Sequence, residues 1–535
     1  MILAPIAIFA AAFAFLLWVR LHTLLTYFQQ EEYDAKRFPA AILRMRLYDV
    51  RASIVLLVLT LVSALAYSRG NLIGVSVTAI LASAALLAGI AWLERQYRYK
   101  KPLALTERAR RIRNVAAIIS LLLVLLASMG PIQALIAVQL PPVALIIANA
   151  ILQPVQNKVN EGFVTEAREK LARLDPVRIG ITGSFGKTTT KHIFAEVLGV
   201  AGPVFYSRGS INTVLGLTRH IRERLQWSHR FFIAEMGAYG IGSVARLCRF
   251  VQPDYGIVTA IGDAHTERFG SVENIAKAKS ELVESVCEKG GTAVVATQVM
   301  DYAPFRGLAE RYPGQVVTVG PEETADIRIA SAALQDADWV ITLEDRRQGG
   351  FGTLSYDLPL LGEHNVTNSA LAVAMAAIID PSIAKRIPLV TPDVEQVPHR
   401  LQRRESPGEP LVLDDAYNAN EAGFRNAVAV AAELARQRGG RAILVTPGIA
   451  ELGMEHDRVH AKLGEYAAGL ADVIYAVNPS RIGSFTSALS AAGKPAIEVA
   501  SFSEARKALK LDAKSEDVVL YENDLPDLLE EKRLL

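Results

Sequence analysis

Between Val115 and Val155 the chain runs for 41 positions without a charged side chain. One crossing of a hydrocarbon layer takes about 20 apolar residues, so this stretch fits two crossings, broken near Gly130-Pro131. Three more uncharged runs precede it. Met1–Val19 is closed by Arg20, Ala52–Ser68 lies between Arg51 and Arg69, and Gly70–Leu93 is closed by Glu94 and Arg95. Five apolar runs with charged punctuation predict a multi-pass α-helical membrane domain over residues 1–157, not a set of buried core helices. Met1–Val19 lacks a basic leader and a small-residue cleavage site, so it reads as a span and not as a signal peptide. No ionisable residue lies deep in a run, which argues against a transporter.

Orientation follows from the basic loops. Arg20–Arg51 carries Arg20, Lys36, Arg37, Arg44, Arg46 and Arg51, and Glu94–Arg113 carries eight lysines and arginines. The intervening turns, Ser68–Asn71 and Ser128–Pro131, hold only Arg69. Both long loops are therefore expected on the cytoplasmic side of the cell membrane, with Met1 outside and everything from Gln156 onward inside, where ATP is.

The second constraint is Val177–Thr190, Val-Arg-Ile-Gly-Ile-Thr-Gly-Ser-Phe-Gly-Lys-Thr-Thr-Thr. A β-branched run, a glycine turn and a helix start place backbone N–H groups and the positive end of a helix around an anion. Gly183, Ser184 and Gly186 form the turn, with Thr189 just inside the helix. Lys187 adds a point charge for the outer phosphates, and Thr188 offers a hydroxyl to magnesium. The strict P-loop has Gly where Ile181 stands, so this is a shortened variant of a nucleoside triphosphate site.

After this loop, short apolar strands alternate with helices, which predicts a P-loop central domain with a mostly parallel sheet over residues 158–390. Ile327–Leu334, Trp339–Leu343 and Gly352–Leu358 read as an antiparallel addition. Residues 391–535 repeat the pattern and predict a second, Rossmann-like α/β domain, without the glycine fingerprint of a dinucleotide site. Polar residues stand where open α/β sheets bind ligands: Glu235 just beyond Phe232–Ala234, and His265 after Gly256–Ala260. A carboxylate and an imidazole near a triphosphate can hold magnesium ions. Cys248 and Cys287 show no pairing pattern and read as reduced, buried thiols. A net charge of +2 makes no case for nucleic acid.

These residues resemble a family. Thr182–Thr190, Asn212–Gly216, Glu235-Met-Gly-Ala238, Ala264–Ser271 with Ala276-Lys-Ala-Lys279, Glu363–Asn368, His399-Arg-Leu401, Asp414–Asn420 and Ala450-Glu-Leu-Gly453 occur in the order seen in Mur ligases. Within that family the set is most similar to the branch that adds D-alanyl-D-alanine to the muramoyl tripeptide. The resemblance covers about residues 177 to 460. It implies an ATP-dependent amide ligase working through an acyl phosphate, with ATP and two magnesium ions. By the resemblance Lys187 meets the β- and γ-phosphates, Thr188 and Glu235 hold one magnesium, and His265 holds the second. Lys279, nine residues after Gly270, matches a lysine that related ligases carry carbamylated, as a further metal-site group. Asn365 and Asn368 would meet the adenine, Arg400 the phosphates from the next domain, and Asp415 the ribose. Asn420 matches an active-site position.

One departure matters. Soluble Mur ligases begin with a small domain that grips the UDP-sugar, and apolar runs stand there in this chain. The amine acceptor is expected to be an amino acid or dipeptide. The carboxylate donor is expected to be a peptidoglycan precursor, or one that is lipid- or polymer-linked and presented at the membrane. Membrane-anchored poly-γ-glutamate synthases offer the alternative of another amino-acid polymer.

Overall fold

The computed structural model describes residues 3–68, 74–97, 99, 102–262, 269–335, 338–416, 420–450, 452–523 and 535. They fall into two compact units. One takes in the residues up to Asn160 together with Leu535, and the other begins at Glu161.

The first unit is helical: α1 (Leu3–Gln30), α2 (Arg37–Met45), α3 (Val50–Ser68), α4 (Gly74–Arg95), α5 (Glu107–Ser128), α6 (Pro131–Ala137) and α7 (Pro141–Leu174), of which α7 continues into the second unit. By length and composition α1, Val77–Arg95 of α4, and α5 are each able to cross a membrane. The count reaches five if α2 with α3, bent by 75°, and α6 with α7, bent by 53°, each make one span.

One sequence expectation needs correction here. Arg20 does not end its helix, because α1 runs on to Gln30. Arg20 is instead 1% exposed, with Nε 2.5 Å from Asp49 Oδ2 and Nη1 3.2 Å from Glu94 Oε2. Thr23 Oγ1 donates to Glu94 Oε1 at 2.9 Å. Two carboxylates, Asp49 just before α3 and Glu94 in α4, replace water around the guanidinium, so a charge that closes an apolar run is folded inward. Val115–Val155 breaks near Gly130-Pro131 as expected and is shared by three helices, because Pro131 and Pro141 each open a helix where their missing N–H costs nothing. Residues Lys158–Leu174 form the second half of α7, which keeps Pro154 inside it.

The second unit is built on two sheets. The first has strands β1 (Val177–Thr182), β2 (Val204–Tyr206), β3 (Phe231–Glu235), β4 (Tyr255–Val258), β5 (Thr292–Ala296), β6 (Val316–Gly320), β7 (Ile327–Gln335), β8 (Asp338–Asp345) and β9 (Thr353–Leu358). Their order is β2-β3-β1-β4-β5-β6-β7-β8-β9, parallel as far as β7 and antiparallel through β8 and β9. The strand order reverses at β1, and in open α/β sheets the crevice for ligands lies at such a switch point. Helices α8 (Lys187–Gly199), α9 (Val214–Arg224), α10 (Ser243–Val251), α11 (Val272–Glu288), α12 (Ala303–Arg311) and α13 (His364–Ile379) connect and cover it.

α13 is apolar all round, and Asn365, Val366 and every residue from Asn368 to Ala377 are buried. A helix without a polar face belongs inside a core, and this one packs on α8 and crosses β5 and β6. Cys248 and Cys287 are buried in the same core, and desolvation pushes their thiols up to about 12 and about 11.

The second sheet joins β10 (Gln402–Arg404), β11 (Leu411–Asp415), β12 (Ala442–Thr446), β13 (Val473–Val477), β14 (Ile497–Val499) and β15 (Val518–Glu522) in the order β10-β11-β15-β12-β13-β14. Only β10 runs antiparallel to its neighbour. Helices α14 (Glu421–Arg438), α15 (His456–Leu470), α16 (Gly483–Ala491) and α17 (Phe502–Asp512) complete the layers.

Candidate active site

The site grows from the end of β1. Ser184 N–H donates to Ala260 O at 2.7 Å, which pins the loop to the chain leaving β4. A side chain at Gly183 would put Cβ 2.0 Å from Thr259 Oγ1, so no larger residue lets the loop lie this close. Gly186 caps α8 at φ +78°, in the left-handed region, and its Cβ would sit 2.3 Å from Asn368 Oδ1. The two glycines let the backbone fold tightly over the first turn of α8, whose free N–H groups carry partial positive charge.

The charges gathered there are mostly cationic. Lys187 Nζ donates to Gly183 O at 2.7 Å and Ser184 O at 3.2 Å. Lys279 Nζ, arriving from α11, donates to the same Gly183 O at 2.9 Å. Thr188 Oγ1 donates to Glu235 Oε2 at 3.1 Å. Lys191 Nζ reaches that oxygen at 2.9 Å and also donates to Gly209 O. Lys191 and Glu235 are 0% and 1% exposed, so this ion pair is shut off from water.

Burial sets the proton affinities. Desolvation brings the Lys187 ammonium down to about 8, with Arg400 and Lys191 pushing the same way and Glu235 opposing. Desolvation and then the charge of Lys187 hold Lys279 well below the ordinary lysine range, which favours its neutral, nucleophilic amine.

The structure thus brings Gly183, Gly186, Lys187, Thr188, Glu235 and Lys279 together. Ser184 and Thr189 are buried beside them, Ser184 Oγ donating to Gly262 O at 3.1 Å. Asn368 packs on Gly186 and donates to Asn365 Oδ1 at 3.0 Å, so both asparagines adjoin the loop. The charge of Arg400 acts on Lys187, His364 and Asp415. Asp415 lies at the end of β11 and accepts the Leu401 N–H at 2.9 Å. Asn420 is the N-cap of α14, its Oδ1 accepting the Gly423 N–H at 2.9 Å. His265 lies outside the described residues. Among the described residues no group of three or more His, Cys, Asp or Glu is placed to hold a metal.

The donor set still fits a nucleotide with a hard cation. Several buried or half-buried ammonium groups outnumber the single described carboxylate beside them, and a polyanion offsets that excess. The Thr188 hydroxyl and the Glu235 carboxylate are oxygen donors of the kind magnesium takes.

Two residues of this neighbourhood escape a reading of single motifs. Lys191 stands four positions after Lys187 on α8, on the same side of the helix, and a lysine there among apolar neighbours was the available signal. Glu522 is 0% exposed, pairs in register with Asp415, and has no hydrogen-bond partner on either carboxyl oxygen. Nothing in its local sequence distinguishes it.

Comparison with known proteins bears on the whole arrangement. Residues 181–376 match the Mur ligase middle domain, and residues 399–521 match the Mur ligase glutamate ligase domain. The UDP-N-acetylmuramoyl-tripeptide–D-alanyl-D-alanine ligase of Mycobacterium bovis is 31% identical over 357 residues, 62% of this chain and 66% of that protein. The ligase of the same name from Escherichia coli is 29% identical over 303 residues, 56% of this chain and 64% of that protein. The match therefore spans just under two thirds of those relatives' own length. The crystal structure of MurF from Acinetobacter baumannii superposes with a TM-score of 0.58 and 27% identity, covering 68% of this chain and 77% of that one.

Proposed function

Because the chain belongs to the Mur ligase family, carrying its middle and glutamate ligase domains, we propose that it is an ATP-dependent ligase that joins a carboxylate to an amine. The observation that carries this reading is the convergence of Lys187, Thr188, Glu235 and Lys279 on the loop after β1.

The likeness to ligases named for a muramoyl tripeptide and D-alanyl-D-alanine supports a peptidoglycan precursor as donor and that dipeptide as acceptor. The helical unit of about 160 residues, which lies outside both family matches, supports a donor presented at a membrane, lipid-linked in that case. On this reading the ligase region faces the cytoplasm, as the basic loops require.

The chemical problem is charge. A carboxylate approaching a triphosphate is an anion approaching a polyanion, and it is a weak nucleophile. ATP supplies the phosphoryl group that makes the acid an acyl phosphate, and magnesium offsets charge on the phosphates. Lys187 and the first turn of α8 bind phosphate oxygens, and Arg400 adds a third positive group from beyond the hinge. Thr188 and Glu235 would hold the metal, with Lys191 fixing the Glu235 side chain in place. His265 is assigned to a second metal. Lys279, whose charged form burial disfavours, could through its neutral amine take up carbon dioxide to become a carbamate, releasing one proton and replacing a neutral group by an anion. Exclusion of water then protects the acyl phosphate until the amine attacks its carbonyl carbon and phosphate leaves.

The test is ATP turnover by the full chain in detergent. Turnover is expected only when both a carboxylate donor and an amine acceptor are supplied, with amide product by mass spectrometry, and Lys187→Ala is expected to abolish it. Turnover that ignores the acceptor, or that survives Lys187→Ala, overturns the assignment.

A further inference from the structure

A groove in the helical unit takes no part in the ligase chemistry. It is a shallow, open groove between the first turns of α5 and the middle of α7, lined chiefly by Arg108, Arg111, Ile112, Asn149, Leu152 and Gln153. Its polar end is built. Arg108 Nη2 donates to Asn149 Oδ1 at 3.2 Å and lies 3.5 Å from Gln153 Oε1, while its guanidinium stacks 4.3 Å over the ring of Tyr33. Asn149 is 7% exposed and is itself fixed by a bond from Nδ2 to Tyr33 O at 3.2 Å.

Every one of these partners is neutral. Among the described residues no carboxylate is recorded in an ion pair with Arg108 or Arg111, whereas Arg110 beside them is taken by Glu107 at 2.5 Å. The Arg108 guanidinium is thus oriented by two amides and a ring, with no carboxylate among the described residues paired to it, and Arg111 stands exposed one turn further on. The other wall is apolar, through Ile112 and Leu152, and it leads to side chains that remain exposed: Ile151 at 59% and Val155 at 56%. A cationic end joined to an open apolar wall complements an anion that carries a hydrocarbon chain. A free anion has no use for the wall, and a nucleic acid needs a broad basic face, not a pocket for one phosphate. A planar guanidinium matches phosphate oxygens two at a time, and an arginine near a membrane surface favours anionic head groups.

We infer that this groove binds the phosphate head group of a lipid, with Arg108 and Arg111 on the phosphate oxygens and the chain along Ile112, Leu152 and Val155. Asn149 and Gln153 position Arg108. The inference rests on the reading that the helical unit lies in a membrane. It adds to that reading a place where a phosphate-bearing lipid, whether a polyprenyl carrier or a bulk glycerophospholipid, meets the protein.

Native mass spectrometry of the full chain, released from zwitterionic detergent, tests it with four probes: a polyprenyl phosphate, phosphatidylglycerol, phosphatidylcholine and inorganic phosphate. The two phosphate lipids with net charge are expected to be retained and to compete with each other, and the tighter one identifies the source. Binding is expected to fall about fivefold for each arginine removed. Arg108→Gln with Arg111→Gln measures the pair, and Arg111→Gln alone, at an exposed position, covers the case in which the double variant does not fold. Unchanged binding in Arg111→Gln, equal retention of phosphatidylcholine, inorganic phosphate bound as tightly as lipid, or no lipid retained by the wild type each overturns the inference. ATP turnover in the same samples reports separately on the ligase. Alkaline extraction of membranes reports separately on insertion. A chain that turns over ATP and stays in the pellet but holds no lipid sinks the groove alone.

Discussion

Asp415 and Glu522 face each other across β11 and β15, and both are carboxylic acids in a dry place. Desolvation lifts Asp415 to about 6, with the charge of Asp414 adding to it and the Leu401 N–H and Arg400 opposing, and it lifts Glu522 well above its ordinary range, where Asp415 raises it further. A carboxyl whose folded-state affinity for the proton is raised binds more protons folded than unfolded. Its contribution therefore favours the fold below about pH 4 and is lost as pH climbs through about 6. His192, His364 and His460, all brought down to about 4 by burial, slope the opposite way, adding stability as pH rises toward 6.5. The raw curve mixes both, so the difference between variant and wild type is what isolates the pair. Glu522→Gln is expected to raise the thermal midpoint above pH 6 and to change it little near pH 4. A difference curve flat across that range would mean that the two carboxyls do not share their burden.

At the scale of elements, the junction of β1, α8 and α13 decides whether a nucleotide can be held. Gly186→Ala meets two obstacles there, a left-handed φ and a contact of 2.3 Å with Asn368 Oδ1. The expected cost is about 1–3 kcal/mol of stability, with a loss of affinity for ATP analogues that Asn368→Ala in the same chain does not fully restore, since the φ strain stays. Calorimetric titration with a non-hydrolysable analogue checks this; full restoration would assign everything to the clash. Much of this junction was legible. The strand at Val177–Thr182 and the helix after Gly186 form as expected, because a β-branched run agrees with the glycine turn that follows it. β2, β6 and α9 were not singled out, being short or polar-faced and held by neighbours distant in sequence. Inside Val115–Val155 the break near Gly130-Pro131 was legible and the further one before Pro141 was not, because hydropathy counts length and only proline geometry and packing decide where a helix breaks. The charges at the run ends misled for a related reason: Arg20 and Glu94 compensate each other through folding, which no linear reading of charge reveals. Lys191 was passed over because motif spacing drew attention to Lys187.

For the whole ligase region, the passage between the two sheets carries the consequence. His399 and Leu401 both take positive φ, 59° and 50°, and the Leu401 N–H is tied to Asp415. His364 and Asn426, from either side of this passage, meet at 3.1 Å. A backbone this constrained at two of three consecutive positions, with Arg400 between them, is a place where the sheets can turn about each other. Binding of an ATP analogue is expected to shrink the radius of gyration in small-angle scattering of the detergent-solubilised chain, and identical dimensions with and without it would remove the case for closure. The same movement can be followed by another route. Both native thiols sit inside the core and stay protonated far above neutral pH, so maleimide dyes have nothing on the folded surface to attack. A cysteine introduced on each side of the hinge would accept its label alone, and the protein comes ready for distance measurements without first being stripped of its own sulfur.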